Sequence, residues 1–159
     1  MIRDATAVDV DAIASLAEAR RADYERAQPQ FWRRAVVAVE VHRPWLAAMV
    51  VDADVVSLVA SDDDGELIGY AFACLVPSPP VYDPGGPTGL VDDFQLANPT
   101  LWSTVGVGLL AAVRERLAAR GVVQLVVVCG RHDDAKRAAL TSAGLAVASE
   151  WYVQPIDPT

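Results

Sequence analysis

Cysteine, histidine and methionine are scarce in this chain, two of each in 159 residues, and that scarcity removes whole classes of chemistry. Cys74 and Cys129 each sit inside or at the end of an apolar run, as free buried thiols do in a reducing compartment, so no disulfide scaffold is expected. With His42 and His132 they make no zinc-type spacing, and no metal site is expected. Basic charge is short too: 13 Lys and Arg stand against 21 Asp and Glu, a formal net charge of -8. Nucleic acid and anionic membranes are therefore not expected partners, because recognition of phosphate on that scale rests on Lys/Arg patches. Long apolar runs are also missing. Asp52, Asp54 and Gln124 interrupt the greasiest stretches, and Met1-Ile2-Arg3-Asp4 carries no apolar signal core, so a cytoplasmic protein is expected.

What is present is apolar material, 53% of residues, enough for one well-buried core, and residues 1–159 are expected to form a single domain. Ile2-Arg3 reads as a short edge strand, and Thr6 with Asp9 as a capping-box start for a helix to about Ala27, ended by Pro29. A second helical piece, broken at Pro44, is expected from about Phe31 to Met49. Val55 to Ala60, an acidic turn at Asp62 to Gly65, and Leu67 to Val76 read as a hairpin. Pro77 to Gly89 is a loop dense in proline and glycine, and Leu90 to Leu96 a central strand. Thr100 to Arg120 is the strongest helix, with Val105, Leu109, Leu110, Val113 and Leu117 on one face and Gly121 as its stop. Val122 to Cys129 reads as a strand covered on both faces and parallel to the central one. Asp133 to Ala143 is a short helix, and Leu145 to Val153 a last strand. The order is β-α-α-β-β-β-α-β-α-β, an α/β chain of the α+β type.

The chemistry concentrates between Leu90 and Arg120. Gly106-Val107-Gly108 at the front of a helix lets backbone N–H groups approach a ligand, and the helix end adds a partial positive charge, which together suit an anion such as pyrophosphate. Just before it, Asp92 and Asp93 lie mid-strand and must face opposite ways if the two-residue period holds. Leu90, Phe94 and Leu96 would then share a face with Asp92, and Val91 and Gln95 one with Asp93. Either carboxylate is a candidate base if burial raises it toward neutrality, and Asp93 is the slightly preferred one.

This order, with Glu66-Leu67-Ile68-Gly69-Tyr70 closing the hairpin and a Gly-x-Gly helix start after a central strand, resembles the GNAT superfamily of N-acetyltransferases over almost the whole chain. The resemblance implies a central mixed, mostly antiparallel sheet flanked by helices, and acetyl-CoA as co-substrate in a cleft where the central strand splays from the next. It places the diphosphate on the loop Ser103, Thr104, Val105, Gly106, Val107 and Gly108, and the thioester carbonyl at the backbone of Gln95, Leu96 and Ala97. Asp133 and Asp134 fall where a CoA contact is common. Tyr24 and Trp32, with Phe31, Arg33, Arg34 and Trp45, fall where the family builds a wall of the acceptor pocket, and Tyr82 of the proline-rich loop is a candidate to line or close it. The implied activity is acyl transfer to a primary amine of a small molecule or peptide in a ternary complex. Two departures stand out: Ser103 occupies the usual Arg or Gln position, and Leu140 or Thr141 the place of a thiolate-protonating Tyr. Both keep open a non-catalytic CoA-binding sensor or an interaction module on the same fold. Arg131, Lys136 and Arg137 read either as charge for the nucleotide or as a solvated helix face, His132 as a turn histidine, and Tyr152 as part of the core. Oligomeric state is left open, a homodimer included.

Overall fold

The structure, a computed structural model, describes residues 1–77 and 81–156. The centre of the expected loop, residues 78–80, lies outside them. The elements are β1 (Ile2–Asp4), α1 (Val10–Ala27), α2 (Ala38–Val51), β2 (Val55–Ser61), β3 (Leu67–Val76), β4 (Thr88–Val91), β5 (Phe94–Leu96), α3 (Val105–Ala118), β6 (Gln124–Val127) and α4 (Asp134–Ser142). Short 3-10 turns precede α1 at Ala7–Asp9 and α3 at Pro99–Ser103. The capping box forms: Asp9 Oδ2 accepts from the Thr6 N–H at 2.8 Å and from the Thr6 hydroxyl at 2.9 Å. Arg3 grips the same carboxylate at 2.7 Å through each of two nitrogens, and this charge-assisted pair, more than anything else, holds Asp9 down to about 2.

The sheet runs β1-β2-β3-β4-β6, with β5 pairing β3 beside β4. Only β4 and β6 are parallel. Strict alternation in β2 feeds two cores. Val56, Leu58 and Ala60 pack toward α3 and α4, whereas Val55 and Val59 join Ile13, Leu46, Tyr70 and Phe72 under α1 and α2.

Four expectations need correction. The central strand is not continuous: Cys74 pairs with Leu90 and Ala71 with Phe94, so four steps on one strand oppose three on the other, and Asp92-Asp93 form a β-bulge. That extra residue resets the alternation, so Val91 shares a core with Phe94 and Leu96 instead of a face with Asp93. Second, α2 runs on through Pro44 and starts later than expected, at Ala38. Third, β6 is shorter than Val122 to Cys129 and is not covered on both faces, with Val126 exposed. Fourth, residues 145–153 form no strand, and Trp151 and Tyr152 are exposed instead of finishing the core. Among the described residues no helix is long and apolar enough to cross a membrane, and both cysteines are free thiols.

Candidate active site

The bulge is what opens the sheet. Beyond it, Phe72 donates its N–H to the Asp93 carbonyl (2.8 Å) and Ala97 donates to the Ile68 carbonyl (2.9 Å), so residues 93, 95 and 97 spend their backbone groups on β3. Phe94 and Leu96 turn theirs the other way. There β6 has already diverged, its last pairing being Val91 with Val127. Of Gln95, Leu96 and Ala97, then, Leu96 alone presents its amide to the gap.

Facing this edge is the start of α3. Gly108 donates to the Thr104 carbonyl at 2.9 Å, which leaves the N–H groups of Val105, Gly106 and Val107 without a protein acceptor among the described residues, a donor set of the kind that binds anions. The Thr104 hydroxyl is turned back on the Leu101 carbonyl (3.4 Å), and Ser103 is exposed. Gly106 has a second duty: a Cβ there would stand 2.6 Å from Cε3 of Trp102, so the missing side chain also makes room for that indole. Gly108 lies against Ile2 in the same manner, at 3.2 Å.

Between the two lies Lys136, and nothing about it fits a solvated helix face. Its side chain is fully buried, its ammonium donates to the Phe94 carbonyl at 3.1 Å, and it lies 5.2 Å from the Phe94 ring and 5.3 Å from that of Trp102. Burial pushes the amine down to about 8, helped by the Arg20 charge. Beside it, the crevice among Phe94, Trp102, Gly106, Val107 and Leu140 is closed by its own lining side chains, with no space for even a water.

On the opposite face of β5 stands Asp93. Its Oδ1 accepts from Tyr70 (2.6 Å) and from Arg20 (3.0 Å), and its Oδ2 lies 3.4 Å from His42 Nε2. Burial, the largest influence, pushes this carboxyl up, but His42, Arg20 and Tyr70 together bring it below the ordinary carboxylate range. The expectation of a base raised toward neutrality is therefore overturned. Arg21 donates to His42 Nδ1 at 2.8 Å, and since a guanidinium only donates, the imidazole proton sits on Nε2, toward Asp93. His42 also stacks on Trp45 with ring centres 5.4 Å apart.

Asp92 is exposed, and its carbonyl accepts from Arg20 at 3.1 Å. Asp133 caps α4 by accepting from the Lys136 N–H (3.2 Å), and Asp134 lies 3.7 Å from Arg137 at the surface. Tyr24 and Trp32 meet edge to face at 5.0 Å, and the Tyr24 hydroxyl accepts from the Gly130 N–H at 3.1 Å. Exposed His132 packs edge-on against Tyr24. Tyr82 stands exposed and is not brought into this group. Sequence reasoning missed Arg20 and His42 as members of the site, and read Lys136 as nucleotide charge or a solvated face, not as a buried amine. The i, i+4 spacing of Arg20 and Tyr24 on α1 was the one available signal, and it joins them in a cation–π contact at 4.7 Å.

Comparison with solved structures settles the architecture. A mutant of the BH1408 protein from Bacillus halodurans superposes with a TM-score of 0.84 at 18% identity, covering 98% of this chain and 99% of that one. A predicted acetyltransferase with acetyl-CoA from Clostridium acetobutylicum follows at 0.74 and 14%, covering 98% and 95%. An aminoglycoside antibiotic 6'-N-acetyltransferase from Acinetobacter baumannii matches at 0.71 and 11%, covering 100% and 99%. The chain has the GNAT fold. No family model and no curated protein matches the sequence.

Proposed function

We propose that this chain is an acyl-CoA-dependent N-acyltransferase, with acetyl-CoA as donor and a primary amine of a small molecule or peptide as acceptor. One observation carries the reading: the β5 edge at Phe94 and Leu96, which no strand pairs and only the Lys136 ammonium contacts, faces the unpaired amides of Val105, Gly106 and Val107. Solved structures of this fold that carry acetyltransferase names, one holding acetyl-CoA, support it. These donors fit an acyl-CoA, with edge groups for an amide-bearing arm and helix-end groups for a diphosphate. Lys136, a single flexible side chain, occupies the Phe94 carbonyl of that edge and must swing out for an amide-bearing arm to pair there.

When bound, acetyl-CoA supplies a thioester whose acyl carbon an amine attacks. The chain contributes the Leu96 N–H as a donor for developing negative charge on oxygen. Asp93, fixed by Arg20 and Tyr70, holds the His42 Nε2 proton and so keeps the Nδ1 lone pair available for an acceptor's proton once Arg21 yields it. Asp93 is thus a positioning residue, and His42 the base. The exposed carboxylate of Asp92 is the alternative proton acceptor.

A thiol-release assay with acetyl-CoA and a panel of primary amines tests the reading. Turnover should fall roughly 100-fold or more in His42→Ala and stay near wild type in Asp92→Asn. A second reading, a non-catalytic CoA sensor, is favoured by the filled crevice and by Ser103. Coenzyme binding without thiol release for any amine would establish it.

A further inference from the structure

Resting on the N-acyltransferase reading, we propose that the acceptor carries a carboxylate and a flat apolar group beside its amine, and that a cavity next to Arg33 receives it. The cavity, about 280 Å³, opens between α1, the 28–37 loop and the start of α2. That volume lies near the lower end for ligand sites and suits one small molecule.

Its walls are aromatic and cationic. Trp32 meets Tyr24 at 5.0 Å and Phe31 at 4.7 Å, both edge to face, so the three rings form a continuous apolar wall. Arg20, Arg21, Arg33 and Arg34 line the rest, and no acidic side chain lines it. The nearby acids are already engaged behind it: Asp93 with Arg20, Glu18 with Arg21 and Arg34, and Glu25 with Arg34. Arg33 alone of the four has no acidic partner among the described residues. In a chain of net charge -8 this local excess is positive, and at physiological salt, where fields fade over about 8 Å, the local groups decide what enters. A simple cationic amine would meet like charge. An amine with a carboxylate gives Arg33 a fork-shaped partner.

The cavity is also placed to serve the reaction. Its arginines reach through to the candidate site, Arg20 to Asp93 and Arg21 to His42. The Tyr24 hydroxyl ties its wall to the β6–α4 turn at Gly130.

Titration of the full chain with phenylalanine, 3-phenylpropanoate and phenethylamine tests this, with the protein alone and with saturating coenzyme A, followed by calorimetry. The two carboxylates should bind at least 10-fold more tightly than phenethylamine. Arg33→Ala should erase that preference, Arg33→Lys should retain part of it, and Trp32→Ala should weaken all three ligands. Equal or tighter binding of phenethylamine, or no binding of any of the three, overturns the proposal. Coenzyme A affinity is measured separately: its absence refutes the transferase reading, whereas normal coenzyme affinity without carboxylate preference refutes this inference alone.

Discussion

On one face of β5 the Asp93 carboxylate accepts from Tyr70 and Arg20 and faces His42; at the strand's open edge the Lys136 ammonium meets one carbonyl and two rings. Both groups are buried, yet one is saturated by opposite charge and hydrogen bonds and the other, among the described residues, has no carboxylate in contact. Charge burial is tolerated where the geometry is complete, and it leaves an easily displaced group where it is not. The first arrangement is a fixed polar cluster. The second is a side chain whose departure into water would relieve its own desolvation.

Removing each group separates the two cases. Asp93→Ala strands the Arg20 charge, and urea unfolding should show a loss of about 3 to 5 kcal/mol. Lys136→Met keeps the bulk and discards the unanswered charge, so the same experiment should show unchanged or increased stability, by up to about 3 kcal/mol. A comparable loss in both variants would erase the contrast.

The two groups also respond to pH in opposite ranges. The Lys136 amine is lowered from 10.5 to about 8, so between those values the unfolded chain binds the extra proton and stability contributed by this site rises with pH. Subtracting the Lys136→Met stability profile from that of wild type removes the other titrating groups, and the difference should climb across this window. Asp93 is lowered, so its contribution stands above the ordinary carboxylate range and is lost as acid protonates it in the folded state. The smallest effect is expected at the bulge's other residue. Asp92 is exposed, and Asp92→Asn should change unfolding stability by less than about 0.5 kcal/mol.

Much of the frame was legible in the sequence because its signals are local. Thr6 and Asp9 announce α1, the Asp62 to Gly65 turn closes the hairpin, and Leu109, Leu110, Val113 and Leu117 mark the buried face of α3. The bulge was not legible. Asp92-Asp93 reads as two strand residues until the β3 register is known, and one inserted residue exchanges faces for everything upstream of it. Residues 145–153 show strand-type composition but do not join the sheet, although β6 ends it, a tertiary outcome that propensity does not carry. The burial of Lys136 and the site contact of His42 escaped for a related reason. A lysine on a short polar helix and a histidine at the start of another look solvated, and only packing brings the first under Trp102 and the second against Asp93.

The account turns on the proposal that the Phe94 carbonyl, occupied here by the Lys136 ammonium, belongs to a coenzyme site. Calorimetric titration of coenzyme A into wild type and Lys136→Ala tests it most directly. We expect binding to both, at least 10-fold tighter to the variant; no binding to either, or tighter binding to wild type, would contradict it.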